Sequence, residues 1–203
     1  MTVDVGALAA RAEIHDALMR YCRGIDRCDA DLVRSAYHPD SYDDHGHWKG
    51  NGWDFAEFIA ADIRTRTSRT THAVANVLIE LAGDRAWVES YVFAYLWGAE
   101  PDTDVLDVFA GRYVDRFERR DGAWLIADRQ VVHDWDARPT LGSGRLGLPL
   151  DAFRTGQRSH ADAAYDRDAA PPGRARATSR VDPHLTDDGR GLGPGVLHAG
   201  DDP

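Results

Sequence analysis

Lysine is almost missing from this 203-residue chain: Lys49 is the only one, and arginine makes up the rest of 24 basic residues set against 34 acids. The resulting formal charge of −10 argues against a general nucleic-acid partner, because binding a phosphate backbone needs clustered cations that release counterions. Cysteine is scarce too. Cys22 and Cys28 lie close together on one expected helix, which suits neither a disulfide framework nor a zinc site, so the expected compartment is a reducing cytoplasm. No segment reaches the roughly twenty apolar residues that cross a bilayer, and no N-terminal stretch joins a basic flank to a long apolar run. No membrane partner is expected.

What is present is a patterned chain with 43% hydrophobic residues, enough for one core. Leu8, Ile14, Leu18, Tyr21 and Ile25 recur at helical spacing between Val5 and Cys28, with Asp4 placed to cap the start. Ala30–Tyr37 fits a second, short helix stopped by Pro39, and Ser41–Trp48 a short strand or irregular edge. After Gly50-Asn51-Gly52, the residues Phe55, Phe58, Ile59 and Ile63 mark a third helix running to about Arg66. Thr70–Leu81 and Arg85–Gly98, joined at Gly83-Asp84, read as a hairpin. A second hairpin spans Val105–Arg119 and Ala123–Trp135 around Asp121-Gly122. Helices first and long antiparallel strands afterwards describe an α+β fold, a curved sheet covered by N-terminal helices.

Beyond Arg138 the periodicity fades. Residues 1–138 are expected to form the domain and 139–160 a lid or subunit arm around Leu146, Leu148, Leu150 and Phe153. Residues 161–203 are expected to form a flexible tail with too little apolar area to offset ordering entropy.

Four residues carry candidate chemistry. Tyr21 and Asp26 stand near the end of the first helix; His72 opens a strand, expected to share a face with Val74, Asn76 and Leu78; Arg129 interrupts an inner row of Leu125, Ala127, Val131, His133 and Trp135. Taken singly, each has a structural reading: Asp26 as a cap, Tyr21 and His72 as core, Arg129 as half of an internal ion pair with Asp26 or another acid. The run Tyr42-Asp43-Asp44-His45-Gly46-His47-Trp48 could be imagined as a metal site with His72 or His133, but strand alternation turns only half of it inward. No metal is expected. The row Tyr91, Phe93 and Tyr95 either lines a pocket for a flat substrate or forms an oligomer interface.

Helix one with Tyr21 and Asp26, the opening His72-Ala-Val-Ala-Asn76, and the hairpin Tyr113-Val-Asp-Arg-Phe-Glu-Arg-Arg-Asp-Gly-Ala-Trp124 together resemble the SnoaL-like family. Its superfamily includes scytalone dehydratase, ketosteroid isomerase and nuclear transport factor two, and the match covers about Ala7 to Trp135. The resemblance implies a cone-shaped, cystatin-like roll and a homodimer or homotrimer. It also implies an Asp–His pair, with Asp26 orienting His72 as base, and Tyr21 and Arg129 at the leaving group. Where scytalone dehydratase has a second histidine in the next strand, this chain has aromatics around Tyr95–Trp97, which removes scytalone as the expected substrate. The expected function is a cofactor-free lyase, a dehydratase or eliminase, acting on a small hydrophobic cyclic, polyketide- or steroid-like molecule. Trp48, Asn76, Tyr91, Phe93, Tyr95 and His133 are the expected substrate contacts. An isomerase or cyclase in the same pocket and a non-catalytic ligand-binding protein are the alternatives.

Overall fold

A computed structural model describes residues 4–99, 105–140 and 153–165, all within one compact unit, Met1–Arg167. The elements run α1 (Val5–Arg27), α2 (Ala30–Arg34), β1 (Tyr37–Asp44), β2 (Lys49–Asn51), α3 (Gly52–Arg66), β3 (Thr67–Ala82), β4 (Arg85–Gly98), β5 (Leu106–Arg120) and β6 (Ala123–Ala137). The strands form one open six-stranded sheet in the order β2-β1-β6-β5-β4-β3. β3 to β6 form an antiparallel meander, and β1 joins β6 in parallel. The expected α+β architecture is the observed one.

Asp4 caps α1 by accepting the Ala7 N–H at 3.1 Å, and Cys28 ends the helix in the left-handed region at φ 51°. Its buried stripe, Ala10, Ile14, Ala17, Leu18, Tyr21 and Ile25, meets the inner face of the sheet, where Val88, Val92, Phe117 and Ile126 lie buried. Gly24 lets α2 pass close by. A Cβ there would stand 2.6 Å from Val33 Cγ2 and 2.7 Å from the Val33 backbone nitrogen. Gly24→Ala is therefore expected to destabilise the fold by about 1–3 kcal/mol through overpacking, despite alanine's better helix propensity. A urea titration reads this directly, and an unchanged midpoint would show that α2 can move aside.

Two features differ from expectation. α2 ends at Arg34, and strand geometry begins at Tyr37 and runs through Pro39. Proline lacks the N–H a ladder needs, and the β1–β6 pairing accommodates it by breaking register between Tyr37 and Tyr42. The other difference concerns which side chains face inward. β3 is bulged between Ala75 and Leu78, with Asn76 at φ 48°, so the inward row continues as Val77, Ile79 and Leu81. Asn76 and Leu78 are exposed, which corrects the expected sharing of a face with His72. β6 carries extra residues at Ala127 and Asp134, so Ile126, rather than Leu125, is fully buried with Arg129, and Trp135 turns outward against Phe93.

Phe153–Tyr165 packs on the helices through polar contacts. Arg158 donates to the Ile63 and Thr67 carbonyls, Arg23 to the Ala164 carbonyl, and the Tyr165 hydroxyl to Asp29 at 2.9 Å. Asp162, 4% exposed, accepts the Gln157 and Ala164 N–H groups and faces Arg27 at 3.3 Å. The expectation of disorder from Ala161 onward is corrected for Ala161–Tyr165, because hydrogen bonds tie this stretch down where apolar area is small. The rest of that expected tail, and Leu146, Leu148 and Leu150 of the expected arm, lie outside the described residues. The two accepted backbone N–H bonds, with Arg27 nearby, hold the Asp162 carboxyl below its ordinary range. A depressed carboxylate stabilises the docked state above its free pKa of about 4 and loses that contribution as pH falls through the lower, folded value. Asp162→Ala should thus make the chain several-fold more sensitive to trypsin at Arg158 at neutral pH. Resistance equal to wild type would mean that the strap is held elsewhere.

Candidate active site

α1 delivers Asp26 and β3 delivers His72 to one point. The Asp26 carboxylate accepts His72 Nδ1 at 2.7 Å and also the His72 backbone N–H, at 3.1 and 3.0 Å to its two oxygens. An acceptor on Nδ1 fixes the tautomer in which Nδ1 carries the proton and Nε2 the lone pair. His72 lies on the wall of a cavity of about 210 Å³ between α3 and the inner sheet face, with Ile59, Ile63, Val92, Phe109 and Val131 supplying apolar surface. His45, Tyr113 and Arg66 are polar wall residues. Arg66 is already engaged by Asp62.

A second histidine–carboxylate pair borders the same space. His45 Nδ1 bonds to Asp43, whose other oxygen accepts the Tyr37 hydroxyl at 2.5 Å, and the Asp43 side chain is fully buried. His45 stacks on Phe55 with ring centroids 4.1 Å apart, and its Nε2 lies 3.0 Å from the Tyr21 hydroxyl. Burial holds the His45 imidazole below its ordinary range, partly offset by Asp43. The neutral ring then accepts the Tyr21 O–H. Burial pushes the Tyr21, Tyr37 and Tyr113 phenols well above their usual range, so all three are protonated.

Arg129 is the largest fully buried side chain, and its partner is Asp115, directly opposite on β5, at 2.8 and 2.7 Å. Its guanidinium also lies 4.2 Å from the Tyr21 ring centroid and 4.0 Å from that of Tyr113. Of the two sequence readings of Arg129, the internal ion pair with Asp26 or another acid is the observed arrangement, and the acid is Asp115. Arg129 does not line the cavity, although its Nη1 is buried without a hydrogen-bond partner. Tyr21, 1% exposed, likewise sits behind the cavity wall, with its hydroxyl occupied by His45.

The expected substrate contacts fare differently. Tyr91, Phe93 and Tyr95 belong to the outward row of β4; the inward row is Ala86, Val88, Ser90, Val92 and Ala94. Their placement at the pocket is corrected by this parity. Trp48 packs on Phe55 and Phe58 away from the cavity wall, Asn76 is the exposed bulge residue, and His133 is exposed and bonded to Asp136 at 2.9 Å, its ring against Phe109. Asp43, His45, Tyr113 and Asp115 were missed as site residues. Their signal was parity: Asp43 and His45 alternate inward with Ser41, and Asp115 sits between Tyr113 and Phe117 on the buried side of β5. Among the described residues, no group of three or more His, Cys, Asp or Glu side chains converges to hold a metal ion. Burial pushes the Cys22 thiol up to about 12, leaving no reactive thiolate there.

Helices seated on one face of an open sheet, with a small, mostly apolar cavity between them, define a cystatin-like α+β roll. The chain belongs to the SnoaL-like domain family, which residues 6–130 match, within the nuclear-transport-factor-two-like superfamily. Similar solved structures include the hexachlorocyclohexane dehydrochlorinase LinA type 3 of Novosphingobium barchaimii, at 21% identity and TM-score 0.61, over 72% of this chain and all of that one. A protein assigned as a scytalone dehydratase from Novosphingobium aromaticivorans aligns at 18% identity and TM-score 0.59, over 70% of this chain and 96% of its own. A protein of unknown function with a cystatin-like fold, from Nostoc punctiforme, aligns at 19% identity and TM-score 0.52, over 74% and 99% of the two chains. No curated protein sequence matches the chain. Among the described residues no helix is long and apolar enough to cross a membrane.

Proposed function

We propose that this chain is a cofactor-free lyase, a dehydratase or eliminase, in which His72 removes a proton from carbon and Asp26 orients it. The observation that carries this reading is the double hold of Asp26 on His72, through ring Nδ1 and backbone N–H, beside a mostly apolar cavity. A base held in one tautomer in low-dielectric surroundings abstracts a proton next to an electron-withdrawing group without having to reorganise first. The likeness to a dehydrochlorinase and to a protein assigned as a dehydratase supports the same class.

The size of the cavity, below the 300–1,000 Å³ typical of sites for drug-sized ligands, favours a molecule of one or two rings over a steroid or extended polyketide. Self-association as a homodimer or homotrimer belongs to the same reading, through the outward face on which Trp87, Tyr91, Tyr95 and Trp135 are exposed. The test is mass-spectrometric screening of the wild type and His72→Ala against cyclic hydroxy-ketones, larger steroids and polyketides. Loss of water or halide from the small cyclic compounds by the wild type alone is the expected result. Isomer formation without loss of mass would favour an isomerase, and ligand retention without turnover a binding protein.

A further inference from the structure

Most arginines of the described chain are held by carboxylates, as Arg116 is by Asp128 and Arg138 by Asp107. Arg69, Arg154 and Arg158 have no carboxylate partner among the described residues, and they meet at one place. All three border a second cavity, of about 390 Å³, between the end of α1, the start of β3 and the Phe153–Tyr165 strap. Arg27 of α1 borders it with them, and Asp26, already engaged by His72, is the one acidic residue described on its wall.

These guanidiniums have donors to spare. Arg158 directs both Nη groups to uncharged oxygens, the Ile63 and Thr67 carbonyls and the Thr67 hydroxyl, and its buried Nε has no partner. Burial holds that guanidinium below its ordinary range, as expected of a cation short of counter-charge. Arg27 faces Asp162 at 3.3 Å, yet its buried Nε makes no hydrogen bond. The hydroxyl of Thr70, a wall residue only 7% exposed, is likewise unpartnered, and Ser68, Thr71 and Thr155 bring further hydroxyls. Buried polar groups normally find partners within the fold, so three without one at a single cavity point to an acceptor supplied from outside.

We propose that this cavity binds a phosphate monoester, its phosphoryl group held by Arg27, Arg69, Arg154 and Arg158 and its organic body packed on Phe153, and that the ligand fastens the strap to α1 and β3. Four guanidiniums set against Asp26 and Asp162 leave two positive charges, the complement of a phosphoryl dianion, whose oxygens suit the guanidinium fork. The negative end of α1 opposes an anion here, but Arg64, a further cation, covers its Cys28 carbonyl at 3.2 Å. The formal charge of −10 that disfavours a polyanion does not repel one phosphoryl group from this cluster, because charges beyond a Debye length of about 8 Å are screened. The volume lies within the range of small-molecule sites and exceeds what a bare phosphate fills, and Phe153, 60% exposed, offers an aromatic surface to the remainder of the ligand.

Arg154 and Arg158 belong to the strap, Arg69 to β3 and Arg27 to α1, so one ligand joins three elements. Asp26 borders this cavity and His72 the smaller one. The ligand therefore stands on the carboxylate side of the pair, apart from the proposed substrate cavity, and acts as an effector that docks the strap.

The test titrates the full chain calorimetrically with phenyl phosphate and with inorganic phosphate at pH 8, where both are mainly dianions, at constant ionic strength set with sodium chloride. One saturable site is expected, with phenyl phosphate the tighter ligand and Phe153→Ala removing its advantage. Arg69→Gln and Arg154→Gln, each at an exposed residue, should weaken both ligands about tenfold while melting like the wild type in the absence of ligand. Arg116→Gln, the same loss of charge on β5, should leave both affinities unchanged. Phenyl phosphate should also slow tryptic cleavage after Arg158 several-fold in the wild type and far less in Arg69→Gln. The site is overturned if no saturable binding occurs, or if Arg69→Gln and Arg154→Gln bind as tightly as the wild type. Saturable binding with unchanged proteolysis overturns the fastening of the strap. Turnover enters neither measurement, so this site and the elimination reading stand or fall separately.

Discussion

Asp115→Leu is expected to cost about 3–5 kcal/mol of stability, the largest effect of any single change considered, because it strands the Arg129 guanidinium in the core. Asp115 and Arg129 both have fully buried side chains and sit opposite each other on β5 and β6, joined by two hydrogen bonds. The tyrosine faces 4.0 and 4.2 Å from the guanidinium give it partial compensation but cannot replace a carboxylate. For a domain of this size such a loss approaches the whole of a typical folding free energy. The double variant Asp115→Leu/Arg129→Met removes both charges and should recover most of the stability, since an ion pair exchanged for apolar side chains of similar volume is often neutral. Chemical denaturation of the two variants decides the matter. If Asp115→Leu stays within about 1 kcal/mol of the wild type, Arg129 must reach water or another anion, and its exclusion from substrate contact falls with it.

Removing the His72 imidazole is expected to abolish turnover while the fold persists. His72 lies at the edge of the core, with an 11% exposed side chain, and alanine preserves the backbone N–H that Asp26 accepts. Asp26→Asn is the sharper probe. An amide can still accept that N–H through its oxygen, but it withdraws the charge that stabilises the imidazolium and permits the wrong ring tautomer. A loss of about 10²–10⁴-fold in kcat with a small change in KM is expected, with thermal melting as the control for folding. Were both variants folded and fully active on a substrate of the wild type, Asp26 and His72 would be a structural pair and the chemistry would lie elsewhere in the cavity.

The helices were legible because apolar residues recur at helical spacing and the capping aspartate is local chemistry: Asp4, Ile14, Leu18 and Tyr21 require nothing from the rest of the chain. The same holds for the Gly83 and Asp121-Gly122 turns, both with positive φ. Asp26 and His72, 46 positions apart, were paired through likeness to a family and are joined in the structure. Strand parity failed at three places, Asn76, Ala127 and Asp134, each a single inserted residue that exchanges inside for outside beyond it. Nothing in local composition announces such a bulge. The aromatic row of β4 shows a related limit: either parity of that strand was compatible with its sequence, and the smaller residues Ala86, Ser90 and Ala94 face inward because α1 and the cavity leave little room there.

By itself, the sequence determined the order and nature of the elements and the fold family, because periodicity, capping and composition act over a few residues at a time. Only the tertiary structure decided that Arg129 belongs to Asp115, that Tyr21 serves His45, and that Asp43 and His45 form a second dyad. Those partnerships depend on the register of β5 against β6 and on the bulges that reset it, and register is fixed by the packing of the whole sheet against α1 and α3.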